Sequence, residues 1–314
     1  SAAWSTSMVL STILPIILLV MLGFACVKGG LILPEQIKAL SAFVIKIALP
    51  AFLLHALASR NLHEIWHPSY FIAYGGGSLL LFVAAFVLYR QYFQHRLTAS
   101  AVMAMGASMS NTGFIGTAIL TMLIGQHAAI YISLTLIIEN LLIVALVLMI
   151  AEAGLQQGSL KQMVVSTLKN LLKNPVILAI ILGMGCVLLG LKLPNVMDQI
   201  LAMLGKTASP LALFVIGGSL VGIGLKAVDI QSLILVSFKI VLMPLTIFGL
   251  FSVLPNVSQE MLYAGTLLAA LPMPIAFGIF GQTYGLNEKA LTPLMLSTVL
   301  GFGVISGLIA LWWG

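Results

Sequence analysis

Residues 15–34 read PIILLVMLGFACVKGGLILP, and residues 175–194 read PVILAIILGMGCVLLGLKLP. Eleven of the twenty positions are identical at a fixed offset of 160, among them Pro15 and Pro175, Gly23 and Gly183, Cys26 and Cys186, and Pro34 and Pro194. The same offset, with no gap, sets KIALP (46–50) on KTASP (206–210). Two apolar segments resemble each other often enough by chance, but a shared K-x-A-x-P at one offset marks an internal repeat. The chain then divides into a first copy, residues 1–158, a linker, residues 159–174, and a second copy, residues 175–314.

The 314 residues are 61% hydrophobic and only 7% charged, where soluble domains carry about 25% charged residues. Such a chain is built for a lipid bilayer. A net charge of +6 would suggest nucleic acid in a soluble protein; here the basic residues sit between apolar runs, where they set orientation instead. Crossing a bilayer takes about 20 apolar residues. Ten runs qualify: 8–27, 36–58, 69–90, 99–123, 127–151, 175–191, 196–223, 231–253, 259–284 and 289–313. The expected fold is therefore an all-α polytopic membrane protein of ten spans. Each copy holds five spans. Because five is odd, the second copy must enter the membrane from the opposite side, giving two inverted five-helix repeats, as in many secondary transporters.

Lys28, Lys38, Arg90, Arg96, Lys161, Lys169, Lys173, Lys226 and Lys289 fall on one side of the membrane, and only Arg60 and Lys192 on the other. The first side is expected to be cytoplasmic, in a bacterial inner membrane, with both termini outside. The opening SAAWSTS has no basic region ahead of the first apolar run, so that run does not read as a signal peptide. Within the linker, Leu160, Met163, Val164, Leu168, Leu171 and Leu172 repeat at helical spacing among Lys161, Lys169 and Lys173. This pattern predicts an interfacial amphipathic helix, or equally a solvated linker. Cys26 and Cys186 lie towards opposite faces of the membrane, cannot pair with each other, and read as small packing residues.

Span 4 contains Ser110, Asn111, Thr112 and Gly113 side by side, a polar, helix-breaking knot at the driest depth. Adding 160 to residues 110–116 (SNTGFIG) reaches residues 270–276 (ALPMPIA) in span 9, where Pro272 and Pro274 remove backbone donors and clash with the preceding turn. Unwound backbone at this depth is tolerated only where protein or water satisfies it. Interrupted helices at corresponding positions of two repeats point to a transporter's binding site. Free amides at the start of each half-helix suit an anion such as a carboxylate. Ser110, Asn111, Thr112, Gly113, Pro272, Met273 and Pro274 are the candidate substrate-binding residues. The competing reading is a pair of kinks without a ligand.

Ionisable groups inside spans are functional candidates by default. Glu139, with Asn140 beside it, lies midway along span 5; it could carry a proton, ligate sodium, or be a hydrogen-bonded structural group. Lys46 and Lys206 occupy equivalent places one turn before Pro50 and Pro210 and could attract an anion or snorkel along the helix. His55 could titrate near neutrality or simply pack. Lys239, ahead of Pro244, is a weaker candidate of the same kind. Other signals lead nowhere. Gly106-Ala107-Ser108 has no nearby base to activate the serine. Residues 74–78, YGGGS, follow no strand and precede no lysine, so they form no phosphate loop. The sequence has no H-E-x-x-H and no Cys/His cluster, so neither a metal enzyme nor a cofactor is expected. Asn256-Val257-Ser258 reads as a short turn, and Trp312 and Trp313 as interfacial aromatics.

The segments LPIILLVMLGFACVKGGLILPE (14–35), IALPAFLLHALA (47–58), SNTGFIGTAIL (110–120), NPVILAIILGMG (174–185), SPLALFVIGGSL (209–220) and KIVLMPL (239–245) resemble the auxin efflux carrier family, which includes bacterial malonate transporters and plant auxin carriers. The resemblance runs over almost the whole chain. It implies a fold similar to bile-acid sodium symporters. Spans 1, 2, 6 and 7 would form a scaffold, often dimeric; spans 3–5 and 8–10 would form a transport domain in which spans 4 and 9 cross. It also implies organic-anion substrates, elevator-like movement, and a central asparagine at Asn111. Plant auxin carriers carry a second asparagine in the span 9 break; LPMPIA (271–276) has none, which favours a smaller carboxylate. The reading reached is a secondary active transporter of a small organic anion such as malonate, with proton coupling through Glu139. Sodium coupling, an auxin-like monocarboxylate substrate, and a passive anion channel are the alternatives.

Overall fold

The computed structural model describes residues 2–155, 158–222 and 228–314; Lys226, one of the basic residues used for orientation, lies outside them. All regular structure among the described residues is helical. In chain order the helices are α1 (Ala2–Lys28), α2 (Pro34–Ala58), α3 (Leu62–Tyr92), α4 (Leu97–Ser108), α5 (112–124), α6 (128–154), α7 (Leu160–Leu172), α8 (Pro175–Leu189), α9 (Asn195–Ser219), α10 (Ile230–Val253), α11 (Gln259–Ala270), α12 (Ile275–Thr283) and α13 (Asn287–Trp313). Six stretches are long and apolar enough to cross a bilayer, or seven when the bent pair α7–α8 counts as one; the run from Leu97 to Ala151 is one of the six.

The sequence explains where these helices begin and bend. Pro34 and Pro175 open α2 and α8 from the first turn, where a missing amide costs nothing. The Asn174 side chain caps α8 by accepting from the Val176 and Ile177 amides. Gly190, at φ +65°, closes it in the left-handed conformation that favours glycine. Proline inside a helix collides with the carbonyl one turn earlier. Here the strain is taken up by widening: a π turn at Val44–Ala48 precedes Pro50, and another at Phe238–Leu242 precedes Pro244. The linker folds as the amphipathic α7, closed at its start by Ser159 and Gln162. It lies at 71° to α8, with Leu160, Val164, Leu168 and Leu172 exposed along it.

Helices α2 and α9 run antiparallel. The start of α2 meets the end of α9, and the end of α2 meets the start of α9. Flanking them, α1 lies along the second half of α9, and α8 along the second half of α2. Glycine permits both approaches. A Cβ added to Gly23 would overlap the Phe214 carbonyl, and one added to Gly217 the Val20 carbonyl, so the α1 and α9 backbones touch. At the other seam a Cβ on Gly183 would stand 2.9 Å from Leu57 Cβ. Cys26 and Cys186 are both free. Helices α5 and α11 share the frame's apolar core through residues such as Ile119, Leu120, Leu267 and Leu268, while α3, α4, α6, α10, α12 and α13 meet in a second core that includes Phe82, Met105, Ile143, Leu235 and Phe277.

These contacts set a stability prediction. Gly217→Ala should lower the melting temperature in detergent by an amount equivalent to about 2 kcal/mol, since backbone cannot yield to an added methyl as a side chain can. Gly249→Ala, where nothing lies within 4 Å, should leave it unchanged or slightly raised. Equal effects of the two substitutions would show that the α1–α9 seam is not close-packed.

Candidate functional site

Helix α4 ends at Ser108, where Met109 turns extended, with φ −118° and ψ 143°. The chain stays unwound through Ser110 and Asn111 and re-enters a helix at Thr112. Helix α11 ends likewise at Ala270, and Leu271 to Pro274 lie outside any helix until α12 begins at Ile275. The two breaks meet. The Asn111 amide donates to the Pro272 carbonyl at 2.9 Å. Gly116, in the first turns of α5, lies close against Leu268 and Leu271, so the half-helices cross at the point where both are broken.

Each freed backbone group finds a specific partner. At the first break the Glu139 carboxylate, 2% exposed, accepts from the Ser110 amide at 3.1 Å and from the Thr112 hydroxyl at 2.8 Å through one oxygen. The Ser110 hydroxyl accepts a longer bond from Tyr74. At the second break the Lys239 ammonium, fully buried, donates to the Ala269 and Leu271 carbonyls at 2.6 Å each. It thus caps the negative end of α11. The Met273 amide donates to the Ser297 hydroxyl at 3.1 Å, and that hydroxyl donates on to the Leu294 carbonyl. One break is braced by an acidic side chain and the other by a basic one.

Asn111 faces two ways. Its side-chain oxygen accepts from the Ile115 amide at 3.5 Å and caps α5. Its side chain also lines a cavity of about 560 Å³ that opens past Ser41 and Lys38 at the start of α2 and past Ser219 at the end of α9. The side-chain nitrogen makes no hydrogen bond among the described residues. The wall is chiefly apolar, and Lys38 is its one charged side chain among the described residues. The volume suits a small organic molecule.

Ser110, Asn111, Thr112, Pro272, Met273 and Glu139 are thus gathered into one knot. Gly113 lies beside Leu49, and the Pro274 carbonyl accepts from the Phe277 amide. The remaining candidates sit elsewhere. Asn140 turns back onto its own helix, donating to the Leu136 carbonyl at 2.8 Å. Lys46 and Lys206 are exposed. His55 Nδ1 lies 2.7 Å from Asp198 Oδ1 and ties the end of α2 to the start of α9. The structure adds Lys239, Ser297 and Tyr74 to the site. Of these only Lys239 left a signal in the sequence, as a charge inside a span.

These features define a multi-pass, all-helical membrane protein with a buried polar knot whose Asn111 lines a ligand-sized cavity. The chain belongs to the membrane transport protein family, that of the auxin efflux carriers, whose profile matches residues 8–310. It is similar to a protein of Rhizobium meliloti (strain 1021) named "Putative malonate transporter", 24% identical over 95% of this chain and 94% of that one. It is also similar to the "Uncharacterized transporter YfdV" of Escherichia coli (strain K12), 25% identical over 94% of this chain and 95% of that one. The family and these relatives are transporters, not enzymes.

The charge arrangement predicts a non-additive pair. Lys239→Met removes the cap on α11 and leaves Glu139 without its counter-charge, a change that costs about 3–5 kcal/mol for buried partners. Adding Glu139→Gln should restore part of that loss, so thermal melting of the double variant in detergent should exceed the sum of the single effects by at least about 1 kcal/mol. Strict additivity would mean that the two charges do not stabilise each other.

Proposed function

We propose that the protein is a secondary active transporter of small organic anions, a dicarboxylate such as malonate, with the anion held where the two broken helices cross. The observation that carries this reading is the bond from the Asn111 amide to the Pro272 carbonyl. It joins two interrupted helices, one from each sequence repeat, at Asn111, which lines the cavity. The substrate carboxylate would take the Asn111 side-chain amide, and the positive ends of α5 and α12 would supply further favourable field. The malonate assignment draws on the name of the Rhizobium relative.

Several finer features belong to the same proposal. The contacts of α1 with α9 and of α8 with α2 exchange under the 160-residue offset, as do Gly23 near Gly218 and Gly183 near Ala58. This supports ten spans arranged as two inverted repeats, with the run from Leu97 to Ala151 counted as spans 4 and 5. Frame helices α1, α2, α8 and α9 would stay fixed, and could pair two copies, while the broken helices move as an elevator. The membrane would be a bacterial inner membrane, with Lys38 on the cytoplasmic side and both termini outside. Glu139 is the proposed proton carrier, because its oxygen already holds both flanks of the first break. Sodium is the second candidate as coupling ion. The apolar cavity wall with Lys38 alone favours one further reading, a monocarboxylate with an apolar body.

Uptake of labelled malonate into proteoliposomes under an inward proton gradient, sodium absent, tests the reading. Asn111→Ala should reduce saturable uptake at least about 100-fold while the protein remains folded by melting temperature. Glu139→Gln should retain malonate exchange but lose stimulation by the gradient. Full transport by the Asn111 variant would remove the substrate site, and unchanged gradient dependence in the Glu139 variant would remove the proton carrier. Competition by monocarboxylates of increasing apolar size, stronger than by malonate, would select the second substrate reading.

A further inference from the structure

A second cavity, of about 460 Å³, lies at the far end of α2 and the start of α9. Along α2, Ala42 lines the Asn111 cavity and Ala58 lines this one, which sets them roughly 24 Å apart at about 1.5 Å per residue. Its lining includes Arg60, Asn61, Cys186, Lys192, Asn195 and Asp198. Arg60 and Lys192 are the only two basic residues that the sequence assigns to that face, and the fold brings both to one hollow. The Arg60 guanidinium reaches Glu64 with one nitrogen at 3.5 Å, while its Nε is buried with no partner among the described residues. Asp198, the one carboxylate in the lining, is engaged by His55 at 2.7 Å. The hollow therefore presents basic donors and two carboxamides, with its carboxylate already occupied.

The repeat relates the two cavities. Adding 160 to Ala58, Ser59, Arg60 and Asn61 gives Gly218, Ser219, Leu220 and Val221, which line the Asn111 cavity; Val27 and Lys38 there map onto Val187 and Asp198 here. The same chain positions thus build a hollow at each end of the α2–α9 pair. Only one of them reaches Asn111 in this structure.

Building on the transport reading above, we propose that the Arg60–Lys192 hollow is the opposite mouth of the same path, an anion site on which the carried carboxylate docks when the carrier faces that side. The asymmetry has a physical consequence. The Asn111 cavity has a lone basic side chain at its rim, whereas this hollow sets two beside one carboxylate held by His55 and so offers an anion more donors; the anion should be captured more readily from the Arg60 face. Electrostatic steering of this kind weakens with salt.

Oriented membrane vesicles of both senses, carrying wild type or the R60Q/K192Q variant, test this. For malonate offered from the Arg60 face, the variant's KM should rise about tenfold with Vmax held within about twofold. KM from the Lys38 face should not change, which also shows that the variant is folded. Equal shifts from both faces, or none, would overturn the proposal. Phosphatidylcholine proteoliposomes with and without phosphatidylglycerol separate the two sources of anion. A KM shift confined to the phosphatidylglycerol vesicles would assign the hollow to a lipid headgroup and overturn the docking role. Cys186 reports occupancy without transport. In a Cys26→Ser background, malonate should slow its alkylation by a membrane-impermeant maleimide, and R60Q/K192Q should abolish that protection. Protection without transport would keep this anion site and refute the transport reading; transport with neither protection nor a KM shift would do the reverse.

Discussion

The bond between the Asn111 amide and the Pro272 carbonyl is the constraint on which the rest of the site depends. Two stretches of unwound backbone lie deep in an apolar bundle, where each buried group left unpaired would cost several kcal/mol. Crossing the breaks lets one stretch satisfy the other. Once the crossing is fixed, the identities around it follow. Gly116 must be small because Leu268 and Leu271 lie against it. Glu139 must reach the Ser110 amide, and Lys239 the carbonyls at the end of α11.

The two breaks are equivalent in the sequence repeat but opposite in electrostatics. The first exposes amides and is held by a carboxylate; the second exposes carbonyls and is held by an ammonium. A buried charge is tolerated when hydrogen bonds and a counter-charge accompany it, and here both are present. Changing the charge on Glu139 changes the hold on Ser110 and Thr112. Those two residues flank Asn111, which lines the cavity. In the proposed mechanism, a proton taken up at Glu139 and an anion held at Asn111 would be coupled through three consecutive residues.

Much of this was legible in the sequence, because the membrane makes polar and helix-breaking residues informative. The 160-residue offset located the second break from the first, and the structure joins Asn111 to Pro272 as that pairing implies. The linker's spacing allowed an amphipathic helix and a solvated linker equally, and α7 forms there. Other features were not readable, for physical reasons. Lys46 and Lys206 share the repeat position that suggested a role, yet both are exposed; position along a helix does not fix which face meets the site. Lys239 was readable as a buried charge but not as a cap on α11, since its partners are backbone carbonyls 30 and 32 residues away that carry no side-chain signature. His55 gave no hint of Asp198, 143 residues distant.

The most direct test of the central claim, a carrier with one anion site at the crossing, is counterflow. Proteoliposomes loaded with unlabelled malonate and diluted into a trace of labelled malonate, at equal pH on both sides and without sodium, report exchange through a saturable site. A transient accumulation of label above equilibrium, which disappears when the internal malonate is omitted, is the predicted result. Label that enters at a rate proportional to concentration, with no accumulation and no dependence on internal malonate, would contradict a carrier and make the crossing a pore.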